Sequence, residues 1–281
     1  GDVAEIADGV TESEIDAKMA EYTEKYTMAT DNIAAVREQA KYEVALDKFI
    51  AREKIGAFTD TFQDLHGLNQ LPGIAAQNLM AKGVGFGPEG DYKTAALGAV
   101  LFRMSEGRKG STGFMEDYTY NLVPGKEGVL EAHMLEVCPT IACEKPKIQV
   151  HPLGIGDRED PARLVFKAKK GSGIVVSLVD MGDRFRMIVN DIECQTQEHD
   201  MPKLPVAGVL WKPLPDFKTS AAAWIYAGGS HHSVLSYDLT AEHMRDFAEI
   251  MGIEFVYINK DTKIPEFRKE LEYNDVIWRN K

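Results

Sequence analysis

Through the first hundred residues apolar positions return with a helical period. Thr11 and Glu14 form a capping box ahead of SEIDAKMAEYTEKY, which predicts a helix there. A longer one is expected over 31–54, where Ile33, Val36, Ala40, Val44, Phe49 and Ile50 share a stripe that Gly56 should end. AFTDTF reads as a short strand, LPGIAAQNLMAKG as a helix closed by Gly83, and DYKTAALGAVLFRM as an apolar helix capped by Asp91. The polar, glycine-rich stretch 105–113, SEGRKGSTG, breaks the pattern and marks a boundary.

Beyond it the period changes to two. FMEDYTY places Phe114, Glu116, Tyr118 and Tyr120 on one face, and VLEAHMLEV places Glu131 and His133 on one face. GIVVSLVDMGDRFRMIVNDIEC reads as a hairpin. WIYAGGSHHSVLS reads as a strand ending in a turn that presents two imidazoles, one toward a site and one away from it. The tail adds a helix in TAEHMRDFAEIMG, a strand in EFVYI and a short helix in PEFRKEL. The fold expected is α/β in the broad α+β sense: a helix-rich portion over 1–109, then a β-rich, barrel-like antiparallel domain over 110–281 with helices at its end.

Charge narrows the partners. A net charge of −12 argues against nucleic acid and against an anionic membrane, both of which need concentrated positive charge. No apolar run reaches the length of a bilayer, and the acidic start GDVAEIADGVTESEID lacks the pattern of a secretory signal, so a cytoplasmic protein is expected. Three cysteines, Cys138, Cys143 and Cys194, suit neither a disulfide framework nor a zinc knuckle.

The stretch GFGPEGDYKTAAL over 85–97 carries G-x-G-x-x-G spacing, which raises a nucleotide-dependent oxidoreductase as one reading. That fingerprint needs a strand before its first glycine, whereas GIAAQNLMAKGV reads as helix, and Glu89 inside the loop would repel a phosphate. Glu89 lies instead just before a helix N-terminus, which favours an ionised carboxylate. It is either part of the cap or a metal ligand or base held charged. Glu116 and His133, in apolar alternation, need partners if buried. Together with the tandem histidines they make a mixed oxygen and nitrogen set suited to an octahedral ion such as Mn²⁺.

At these residues the chain resembles the L-arabinose isomerases, and more distantly the L-fucose isomerases. The blocks that carry the resemblance are TFQDLHGLNQLPGIAAQNLM, GFGPEGDYKTAAL, GSTGFMEDYTYNL, HMLEVCPTIA, LGIGDREDPARLVF, MPKLPVAGVLW and AWIYAGGSHHSV. The resemblance implies Glu89, Glu116, His133 and His232 as ligands of Mn²⁺, with Co²⁺ as the alternative. It implies Glu89 and Glu116 as the acid/base pair and Phe62 as a wall of the sugar pocket. The activity implied is aldose–ketose isomerisation, L-arabinose to L-ribulose and also D-galactose to D-tagatose, through an enediol, in a homo-oligomer of six or four subunits. Members of the family are nearly twice this length. The chain is therefore expected to lack an N-terminal α/β domain and the start of the middle one, and the alternative reading is a metal-binding or oligomerisation fragment with an incomplete active site.

Overall fold

The computed structural model describes residues 1–108, 111–198 and 200–279. The boundary expected between 109 and 110 lies outside them. In the first portion α1 (Asp2–Asp8), α2 (Glu12–Lys25), β1 (Thr27–Met28), α3 (Ile33–Glu53), β2 (Ala57–Thr59), α4 (Gly73–Ala81), β3 (Gly85–Gly87) and α5 (Tyr92–Met104) follow in order. The capping box at Thr11 and Glu14 is formed, and Asn32 caps α3. The inner stripe of α3, including Val36, Ala40, Tyr42 and Leu46, is buried. This helix stops before Gly56: Lys54 itself takes the left-handed conformation, φ 55°, with its N–H donating to the Ile50 carbonyl. β2 and β3 pair in parallel.

The second portion runs through β4 (Thr112–Asn121), β5 (Gly128–Ala132), a 3₁₀ turn (Pro139–Ile141), β6 (Lys147–Val150), β7 (Ala162–Val165), β8 (Gly171–Asp180), β9 (Phe185–Gln195) and β10 (Gly208–Pro213). α6 (Phe217–Ala227), β11 (His232–Ser236), α7 (Ala241–Met251), β12 (Glu254–Ile258) and α8 (Ile264–Trp278) complete it. The strand order β10-β5-β4-β11-β8-β9, closed by pairing of β9 back to β10, makes a six-stranded antiparallel barrel; β12 joins β9 in parallel from outside. Closure leaves these strands no free edge. Met115, Val129, Val175, Ile192, Val209, Trp211 and Leu235 point inward into a shared core. On the outer face Val176, Val189 and Val234 pack with Leu97 and Leu101 of α5 and Met244 of α7.

Four sequence-based expectations need correction. The strands between 133 and 169 do not belong to the barrel: β6 pairs with β1 in parallel and with β7, and β7 packs on α3 and α4. The alternation of FMEDYTY is interrupted by a β-bulge between Asp117 and Thr119, and the extra residue turns Tyr120 onto the face of Asp117, away from Glu116. Glu131 and His133 do not share a face, because β5 ends at Ala132: Glu131 enters the barrel and His133 turns out toward Glu116. Finally WIYA is helix, closing α6 with Gly228 at φ 83°, and the histidines open the next strand. Asp216, which caps α6 through Thr219, supplied the start signal for that helix.

Candidate metal centre

The glycine loop is built for close packing. A side chain on Gly85 would meet the Ala95 carbonyl oxygen at 2.1 Å, and one on Gly87 would meet that of Asp91 at 2.2 Å, so α5 lies directly on β3. The strand of this β-loop-α unit is Gly85–Gly87 itself, and the element immediately before it is helix α4. The turn then places Glu89 in the left-handed region at φ 59°, with Gly90 at 81°. Such a conformation is costly for a residue other than glycine or asparagine. The Gly90 N–H donates to the Asp60 carbonyl, which pins the loop. Asp91 caps α5 through the Thr94 N–H at 3.0 Å and hydroxyl at 2.7 Å.

Opposite the loop stands the outer wall of the barrel. His232 on β11 pairs across the ladder with Glu116 on β4, which in turn pairs with Ala132, the residue before His133. Phe114, two residues before Glu116 and on its face, meets both imidazoles edge-on, with centroids 5.2 Å from His133 and 5.3 Å from His232. The two histidines are thereby held with ring centroids 6.4 Å apart.

A carboxylate backs each buried imidazole. The Nδ1 of His232 lies 3.0 Å from Asp91 Oδ2, and that of His133 lies 2.5 Å from Glu136 Oε2. A carboxylate can only accept, so Nδ1 is the donor in both rings and each Nε2 is the atom turned away from that carboxylate. His133 Nε2 is 4.0 Å from Glu116, and His232 Nε2 is 3.7 Å from Glu89. Buried though it is, His232 Nε2 has no hydrogen-bond partner among the described residues. His231 stacks on His232 with centroids 4.3 Å apart and an interplanar angle of 18°, its Nδ1 3.6 Å from Glu116. Preceding β11 rather than lying within it, His231 escapes the pleat that would have sent it to the opposite face. Ligand atoms of Glu89, His231 and His232 lie within 4.8 Å of one another.

The electrostatics follow from these pairings. Burial would lower the proton affinity of His133, but Glu136, then Glu116 and Glu89, outweigh it and raise it. Burial also works against a charge on Asp91, yet hydrogen bonds from His232 and Thr94 hold its carboxyl far below the usual carboxylate range. Asp60, a half-buried residue close to Glu136, His133 and Glu89, has its carboxyl pushed up to about 8, chiefly by the burial of that group. Its Oδ2 has no hydrogen-bond partner among the described residues. Phe62, half-buried, packs against an apolar cluster that includes Leu65, Leu68 and Leu153.

The four residues singled out as ligands therefore share one surface. Oxygen and nitrogen donors with an orphaned buried imidazole nitrogen suit a divalent ion of the Mn²⁺ type. Sequence reasoning missed Glu136, Asp60 and the service of Asp91 to His232. Spacing offered a signal for two of them: Glu136 follows His133 by three residues, and Asp91 follows Glu89 by two.

Comparison with known proteins matches residues 1–107 to the L-arabinose isomerase central domain and residues 111–254 to the L-arabinose isomerase C-terminal domain. An L-arabinose isomerase of Shouchella clausii is 53% identical over 275 residues, covering 98% of this chain and 56% of that protein. That of Thermotoga petrophila is 52% identical over 280 residues, 99% of this chain and 56% of its own, and that of Bacillus subtilis is 51% identical over 285, 99% and 57%. The chain thus spans a little over half the length of the relatives it matches.

Proposed function

The chain belongs to the L-arabinose isomerase family, and from that premise we propose that it carries the metal-binding half of an aldose–ketose isomerase that interconverts L-arabinose and L-ribulose. D-galactose to D-tagatose is the second conversion proposed. The observation that carries the reading is the buried, unpaired His232 Nε2, set against Glu89 with Glu116 and His133 on the same wall. Glu89, Glu116, His133 and His232 would hold Mn²⁺, or Co²⁺ in its place. When bound, the ion supplies positive charge beside the two sugar oxygens on which negative charge develops.

The protein's own groups do the rest. Asp91 and Glu136 orient the imidazoles, so the ligand nitrogens are presented without rearrangement. Moving a carbonyl between C1 and C2 requires that a C–H proton leave one carbon and reach the next. One of Glu89 and Glu116 carries that proton while the other moves the hydroxyl proton. His231, 57% exposed against Glu116, stands where it can steady that carboxylate's charge. Phe62 is proposed as an apolar wall of the sugar site. A homo-oligomer in the cytoplasm completes the proposal. Among the described residues no helix is long and apolar enough to cross a membrane.

The test is ketose formation from L-arabinose with Mn²⁺, in wild type, Glu89→Gln and Glu116→Gln. Both variants are expected to be inactive, and wild-type turnover that survives complete chelation would contradict the proposal. The second reading proposed is a metal-binding or oligomerisation unit without turnover of its own. Mn²⁺ uptake with no ketose formed would select it.

A further inference from the structure

The inside of the barrel holds a cavity of different chemistry from the outer wall. It measures about 430 Å³, a size typical of small-molecule sites. Val129, Val175 and Trp211 line it from the strands, and Phe217 and Trp224 line it from α6. Into this apolar chamber projects Glu131, only 2% exposed. One carboxyl oxygen accepts from the Ser233 hydroxyl at 3.0 Å, and the other, Oε2, has no hydrogen-bond partner among the described residues. The buried indole N–H of Trp211 lies near enough to ease the charge on Glu131, yet it too makes no hydrogen bond of good geometry. Asp117 Oδ1, on the same inner face, is a third orphan.

Packing alone gives no reason for an acid here, because an apolar side chain would fill the place without an unmet hydrogen-bond demand. No lysine or arginine lines the cavity among the described residues; His231, at its rim, is the one basic side chain on it. Any occupant therefore meets two acids and a ring of aromatic faces.

We propose that the barrel cavity binds a protonated primary amine with an apolar, aromatic-sized body, its ammonium group between Glu131 and Asp117 and its body against Trp211, Trp224 and Phe217. An ammonium brings three donors and no acceptor, matching orphaned carboxylate oxygens, and the rings add cation–π attraction. An alcohol brings one donor and no charge. A carboxylate or phosphate is repelled.

The probe is 2-phenylethylamine, titrated at pH 7 into the chain as it stands, beside 2-phenylethanol and phenylacetate. Two of the three tryptophans, Trp211 and Trp224, line the cavity and report occupancy by fluorescence. Saturable binding is expected for the amine, roughly tenfold or more tighter than for the alcohol, with none for phenylacetate. Glu131→Gln should weaken the amine roughly tenfold or more. Ala221→Trp, which fills the wall, should block binding altogether. Equal affinity for amine and alcohol, amine binding unchanged in Glu131→Gln, or amine binding unchanged in Ala221→Trp would each overturn the proposal. Should Glu131→Gln fail to fold, the wild-type ligand comparison and Ala221→Trp decide alone.

Discussion

Glu116 and Asp117 are neighbours on β4, and His232 and Ser233 are neighbours on β11, yet the strand pleat sends one of each pair to the outer wall and the other into the barrel. Outside, every buried imidazole has a carboxylate behind it, and Asp91 is held ionised by the groups around it. Inside, Glu131 has one serine hydroxyl, and burial pushes it toward the neutral form. Two carboxyl groups thus take opposite charge states on the two sides of one barrel wall. What decides is whether a group able to carry positive charge stands within reach.

The sharpest way to break the contrast is on the outer wall. His232→Ala removes the orphaned nitrogen and should take turnover below detection and lower Mn²⁺ affinity by at least about a hundredfold, read by titration against the free ion. Unchanged affinity would mean that the wall is not a metal site. Inside, the effect should appear as pH-dependent stability. Because the Glu131 carboxyl is raised from 4.5 to about 8, the folded chain keeps a proton through that window which the unfolded chain gives up. Stability therefore falls as pH rises from 4.5 to 8, by about 1.4 kcal/mol per pH unit at most. Glu131→Gln should remove this loss, a difference of a few kcal/mol by pH 8, visible in urea unfolding at pH 5 and pH 8. Parallel behaviour of the two proteins would show that Glu131 titrates normally.

Smaller effects sharpen the contrast. Glu136→Gln leaves His133 in place but weakens its orientation, and Mn²⁺ affinity should fall about tenfold to a hundredfold with the fold intact by circular dichroism. Tyr120→Phe removes the hydroxyl that donates to Asp117. At this partly exposed position stability should drop by about 1 kcal/mol or less, measured by urea unfolding at pH 7.

Much of the architecture was legible because local signals agreed with the fold. The capping box at Thr11, the stripe of α3, and the hairpin over residues 171–195 each state their element within their own residues. Failures arose where a distant partner or one inserted residue decided. Nothing in FMEDYTY announces a bulge, and the alternation of KIQV in β6 does not say that its neighbour is β1 rather than the barrel. WIYA misled because its apolar run is uniform, so period could not separate strand from buried helix. Of the site, the residue types of Glu89, Glu116, His133 and His232 were readable. Their convergence was not, since it depends on barrel closure bringing β4, β5 and β11 side by side while α5 docks outside. The oriented pair Asp91 and Glu136 was hidden because capping and solvation explain such acids equally well from sequence.

The parallel pairing of β1 with β6 has a consequence during synthesis. Helices α2 and α3 leave the ribosome long before the strand at Lys147–Val150 exists, so β1 must wait as an uncovered segment until the first barrel strands have been made. A chain cut near residue 107 would strand it permanently. The helical portion expressed alone should therefore tend to self-associate through that edge, and supplying the remainder as a separate polypeptide should rescue it into solution.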